Sequence, residues 1–133
     1  MLTAILAALL IQTAPQEDPG FTDIWIRYGS AMEAEGITRR TAAQAYTWTE
    51  GQYHLGLCRP YLEQSDVTFW REWWKNTPLE QSVLGRRILE AGSTNYTEGL
   101  EAAATEPITA AHCQRIADSW FADMKRLAEE PSL

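Results

Sequence analysis

An all-α fold, a small single-domain bundle of four to six helices with one inter-helix disulfide, is what the sequence predicts, and three observations lead there. Apolar residues recur at spacings of three and four along most of the chain. No run alternates polar and apolar residues, and no Asn-Gly or Asp-Gly hairpin turn occurs. The 133 residues suit one domain, and six Trp, five Tyr and three Phe within a 45% hydrophobic composition supply a modest core.

The N-terminal run Leu2 to Ile11 is uncharged and apolar, with the length of the central part of a secretory signal. A bilayer span needs about 20 apolar residues, so residues 1–14 are expected to be a signal peptide, possessing the alternative of an uncleaved anchor at the inner membrane. Residues 15–20, with two Pro and one Gly, read as a linker, and residues 21–130 as the helical domain.

Within that domain, Phe21, Ile24, Trp25, Tyr28 and Met32 share one helical face, and Gly36 ends the first helix. Thr38 caps a second helix with two apolar sides, one carrying Ala42, Ala45, Tyr46, Tyr53 and Leu57, the other Trp48, Leu55 and Cys58. Such a helix belongs at the centre of the fold, and Pro60 marks its end. Ser65 or Asp66 is expected to cap a short aromatic helix from Val67 to Asn76. Thr77-Pro78-Leu79-Glu80 reads as a capping box opening a helix that runs to Gly92, then stops or bends before Asn95 to Ala104, with Ser93 or Thr94 as a second cap. Glu106-Pro107 breaks the chain, and Thr109 begins a last helix bearing Cys113, Ile116, Ala117, Trp120, Phe121, Met124 and Leu127.

Cys58 and Cys113 are the only cysteines. In an oxidising compartment two thiols of a small domain pair, which makes a structural disulfide the leading expectation. Two separate buried thiols, or a metal or redox site built with His54 and His112, are the alternatives. Adjacent helical residues such as His112 and Cys113 diverge by about 100°, which works against a shared ion. No cofactor is expected.

The formal charge of −7 excludes nucleic acid as a natural partner, because phosphate binding needs clustered Lys and Arg. The pairs Arg39-Arg40 and Arg86-Arg87 have acids nearby and read as solvated helix faces. Glu50 and His54, four apart beside Tyr53, have the spacing of an acid/base pair, yet no nucleophile motif, phosphate loop or zinc-protease motif accompanies them. An exposed ion pair is the simpler reading, and the chain is not expected to be an enzyme. Asn95-Tyr96-Thr97 is formally a glycosylation sequon.

Phe69-Trp70-Arg71-Glu72-Trp73-Trp74 sets Trp70 with Trp74, and Phe69 with Trp73, on neighbouring stripes of one helix. A single core face does not readily bury four large rings, so one or two are expected at the surface, where they serve protein contacts or stack on sugar rings. Arg71 adds a potential bidentate carboxylate contact.

The order of Tyr53-His54-Leu55-Gly56-Leu57-Cys58, Trp70-Arg71, Asn95-Tyr96 and Cys113 resembles an uncharacterised family of small exported alphaproteobacterial proteins. The resemblance spans roughly Ala45 to Trp120 and implies a periplasmic, disulfide-bonded helical domain of unassigned function, with Trp70, Arg71 and Tyr96 as structural or contact positions. The resulting expectation is a non-enzymatic periplasmic or envelope protein that contacts another envelope protein through Trp70, Arg71, Trp73, Trp74 and Tyr96. A stress or acid chaperone and a cell-wall glycan-binding module are the alternatives.

Overall fold

The computed structural model describes residues 18–129. The signal-peptide expectation for residues 1–14 lies outside the described residues. Five α-helices account for most of the rest: α1 (Pro19–Ala34), α2 (Arg39–Leu57), α3 (Gln64–Arg71), α4 (Val83–Ala103) and α5 (Ala110–Glu129). Three 3-10 turns, Arg59–Tyr61, Trp73–Asn76 and Pro78–Gln81, join α2 to α3 and α3 to α4. No strand occurs among the described residues, and none of their helices is long and apolar enough to cross a membrane.

Helix α1 begins at Pro19, just inside the stretch expected as linker, because the Asp18 carboxylate accepts from the Gly20 N–H at 2.8 Å and Pro suits the first helical turn. Gly36 ends this hairpin at φ 85°, in the left-handed region that glycine enters without a Cβ penalty. Phe21 and Met32 are buried, but Tyr28, expected on the same face, is exposed. Helix α2 is central, as its two apolar sides require: α4 packs along one side, α1 and α5 against others. Its Thr38 cap accepts from the Thr41 N–H at 3.2 Å.

Glycines set how closely α2 and α4 approach. A Cβ on Gly56 would stand 2.9 Å from the Leu100 nitrogen and closer still to the Tyr96 carbonyl oxygen. A Cβ on Gly99 would stand 2.9 Å from the Leu57 nitrogen and closer to the Tyr53 oxygen. Two turns earlier, Gly92 faces the ring of Trp48, and Gly85 faces the backbone of Leu79. Gly85, Gly92 and Gly99 fall at heptad spacing, so the three stay on nearly one stripe of α4.

Four expected boundaries need correction. Helix α4 is continuous through Gly92, without a second cap at Ser93 or Thr94. A glycine inside a helix costs about 1 kcal/mol, whereas burial of an indole such as Trp48 is worth roughly 4 to 6 kcal/mol, and the ring has room only because position 92 lacks a side chain. Thr77 does not cap that helix; its hydroxyl accepts from the Leu79 N–H at 3.3 Å and donates to the Trp74 carbonyl at 2.7 Å, closing a single turn. The cap of α4 is Ser82, whose Oγ accepts from the Gly85 N–H at 2.7 Å. Between the two caps Leu79 is driven wholly into the core, with the Gly85 backbone against its own.

The aromatic helix also differs. Neither Ser65 nor Asp66 caps it; Glu63 precedes its first turn without a side-chain bond, and α3 ends at Arg71 rather than Asn76. Thr77, preceding Pro78, is held extended at φ −124°, ψ 161°, as the proline ring demands, so the segment before it finishes as a 3-10 turn. That turn brings Trp73 and Trp74 onto the cluster of Phe21, Met32, Ile37, Ala42, Ala45 and Leu79.

Candidate functional site

Helix α3 lies where α2, α4 and α5 converge, and its side chains divide between two surroundings. On one side is an aromatic group. The Trp70 ring stacks on Phe121 of α5 at 5.1 Å between centroids, with 13° between planes, and meets Trp120 at 5.2 Å. Phe69 stands edge-on to Trp70 at 5.0 Å and is 58% exposed. Trp120 and Phe121 continue into a narrow apolar cleft of about 10 Å³ that also takes in Leu62, Ile116 and the disulfide.

Two indole N–H groups anchor this assembly to α2. Trp48, 1% exposed, donates to the Trp70 carbonyl at 2.6 Å, and Trp120 donates to the Thr47 carbonyl at 3.0 Å. The Asn95 amide donates to the Thr49 carbonyl at 2.9 Å, fixing α4 to the same helix. Loss of the Trp48 donor leaves the Trp70 carbonyl without it, and a buried polar group stripped of its partner costs about 1 to 3 kcal/mol. Trp48→Phe is therefore expected to lower stability by at least that amount in urea unfolding; an unchanged midpoint would show that this bond does not hold α3 in place.

On the other side of α3 is a polar group. Arg71 Nη1–H donates to Gln52 Oε1 at 3.0 Å, and the guanidinium carbon lies 4.1 Å from the centre of the Tyr96 ring. Gln52 is fully buried, and its Nε2 has no hydrogen-bond partner among the described residues. Burial pushes Arg71 below the usual arginine value, against an opposing contribution from Tyr96, yet an arginine stays cationic throughout the physiological range. Arg71 has no carboxylate partner among the described residues; neighbouring Glu72 is bound to Lys75 at 2.9 Å.

The residues expected to make contacts are thus placed differently from one another. Arg71 and Tyr96 come together, from α3 and α4. Trp70 is half-buried in the stack with α5. Trp73, 6.2 Å from Trp48, and Trp74 are half-buried against the core, where they hold the α3 to α4 connection. Phe69 is the exposed ring of the group. Gln52 was not anticipated, although the pattern holds a signal: it is four residues after Trp48 and three before Leu55, a polar residue inside an apolar stripe.

Cys58, at the end of α2, and Cys113, in the first turn of α5, form the disulfide, with Cα atoms 5.5 Å apart and both residues buried. Both sulfurs are consumed in that bond, so the thiolate ligands of the metal alternative do not exist in this state. Among the described residues no group of three or more His, Cys, Asp and Glu is placed to hold an ion. His54 lies below the usual histidine value because burial, then nearby His112, disfavour its cation, with Glu50 opposing. Tyr46 is pushed up to about 12 by burial and then by the nearby carboxylates of Glu50 and Asp18. Glu50 therefore serves Tyr46 as well as facing His54.

No known protein family, curated protein or solved structure matches this chain.

Proposed function

We propose that the chain is an exported, non-enzymatic interaction protein of the cell envelope, which docks a partner polypeptide through the aromatic face at the α3–α5 seam. The observation that carries this reading is Phe69, 58% exposed at the edge of the Trp70–Phe121 stack. Large exposed rings backed by a rigid stack lose little conformational freedom on binding, which is why aromatics concentrate at interaction hot spots. The disulfide supports an oxidising compartment, where such bonds persist.

A photoreactive side chain at position 69, introduced in the native host, is expected to give a discrete cross-linked adduct, while the same group at exposed Arg27 on α1 gives none. Phe69→Ser should abolish the interaction and, being a surface change, move stability by only about 0.5 kcal/mol. Equal labelling from both positions, or none from position 69, would remove the proposed face.

A further inference from the structure

Arg71 is half-buried in a chain with 18 acidic residues against 11 basic ones, and still no carboxylate among the described residues reaches it. Its guanidinium instead lies over the Tyr96 ring and is held through one N–H by Gln52 Oε1. That bond fixes the orientation of the Gln52 amide, so its NH2 group is the end left without an acceptor, in a residue with no exposure. A cation retained out of bulk water without an anion, beside a buried donor without an acceptor, lacks one thing on both counts: an oxygen anion.

We propose that Arg71, Gln52 and Tyr96 form a binding site for a single carboxylate group. One carboxylate oxygen takes the free N–H groups of the guanidinium. The other takes the Gln52 amide, which has no exposure in the unliganded protein and is uncovered as the partly exposed Arg71 and Tyr96 side chains shift to admit the anion. Tyr96 keeps the guanidinium plane in place from below. The planar fork suits a carboxylate geometrically, and the net charge of −7 favours a monoanion over a dianion such as phosphate. Residues 69 and 71 of a helix point about 200° apart, so this site lies away from the Phe69 edge and stands or falls independently of it.

The test uses side-chain nitrogen NMR of Gln52 and Arg71 in the disulfide-bonded protein. Sodium acetate is expected to shift both signals saturably, while sodium chloride at equal ionic strength leaves them unmoved. Arg71→Lys should weaken acetate at least tenfold, since an ammonium lacks the fork. Gln52→Glu supplies the carboxylate from within, so it should keep the fold and abolish the acetate response; it serves as the second variant if changes at Arg71 impair folding. N-acetyl-dialanine binding tenfold tighter than acetate, with its C-terminal amide silent, would assign the carboxylate to a polypeptide, whereas equal binding would assign it to a free small acid. Shifts identical in acetate and chloride, or phosphate binding more tightly than acetate, would overturn the proposal.

Discussion

Gly99→Ala is expected to destabilise the protein by about 2 kcal/mol, although the same change inside an ordinary helix stabilises by about 1 kcal/mol. The reversal of sign follows from what the new methyl meets. At Gly99 it meets the backbone of Tyr53 and Leu57, and at Gly56 the backbone of Tyr96 and Leu100. Backbone held in two helices cannot turn aside as a side chain can, so α2 and α4 must separate and surrender close packing along their whole seam. Gly51→Ala, by contrast, meets the half-buried ring of Trp120 and should cost less. Urea unfolding would rank the three, with Thr94→Ala on an exposed part of α4 as the reference. A Gly99→Ala protein as stable as the parent would mean that the two helices do not meet through their glycines.

The second large effect is expected from the disulfide. Replacing Cys58 and Cys113 together with Ala opens a loop of 55 residues. The chain-entropy estimate for a loop of that length is about 4 kcal/mol, an upper value because residual structure in the unfolded chain reduces it. Against a total stability of about 5 to 15 kcal/mol for a domain of this kind, such a loss is large, and the melting temperature should fall by roughly 10 to 20 °C. Helix α5 should loosen first. Its other ties to α2 and α3 include the Trp120 to Thr47 bond, the Trp70–Phe121 stack and buried Leu127, and amide exchange along Ala110–Glu129 would report the change. An unaltered melting temperature would show that packing alone secures α5.

Much of this architecture was legible residue by residue. The 3.6-residue spacing of apolar side chains located all five helices, because a helix in a small domain must bury one stripe. The two apolar sides of α2 announced its central position, Gly36 and Pro60 its neighbourhood of turns, and the two cysteines their pairing. Within the site, Arg71 and Tyr96 were both identified, but 25 positions of sequence separate them and no local pattern says that they touch.

Other features were not accessible from local signals. Gly92 reads as a helix stop by propensity, and only the ring of Trp48 arriving from α2 shows why the helix continues. Thr77-Pro78 has every local mark of a helix start, yet burial of Leu79 ends that helix after one turn and passes the cap to Ser82. Four rings in six residues suggest a binding face, but Trp73 and Trp74 were claimed by the core once Pro78 forced the preceding segment into a tighter turn. By itself, then, the sequence determined the fold class and the covalent link, since periodicity is a property of short stretches and two cysteines allow a single pairing. The tertiary structure alone decided which helix faces touch, which ring is left at the surface, and that Arg71 sits over Tyr96 beside an unsatisfied Gln52, because each of these depends on how residues distant in the chain divide a small buried volume between them.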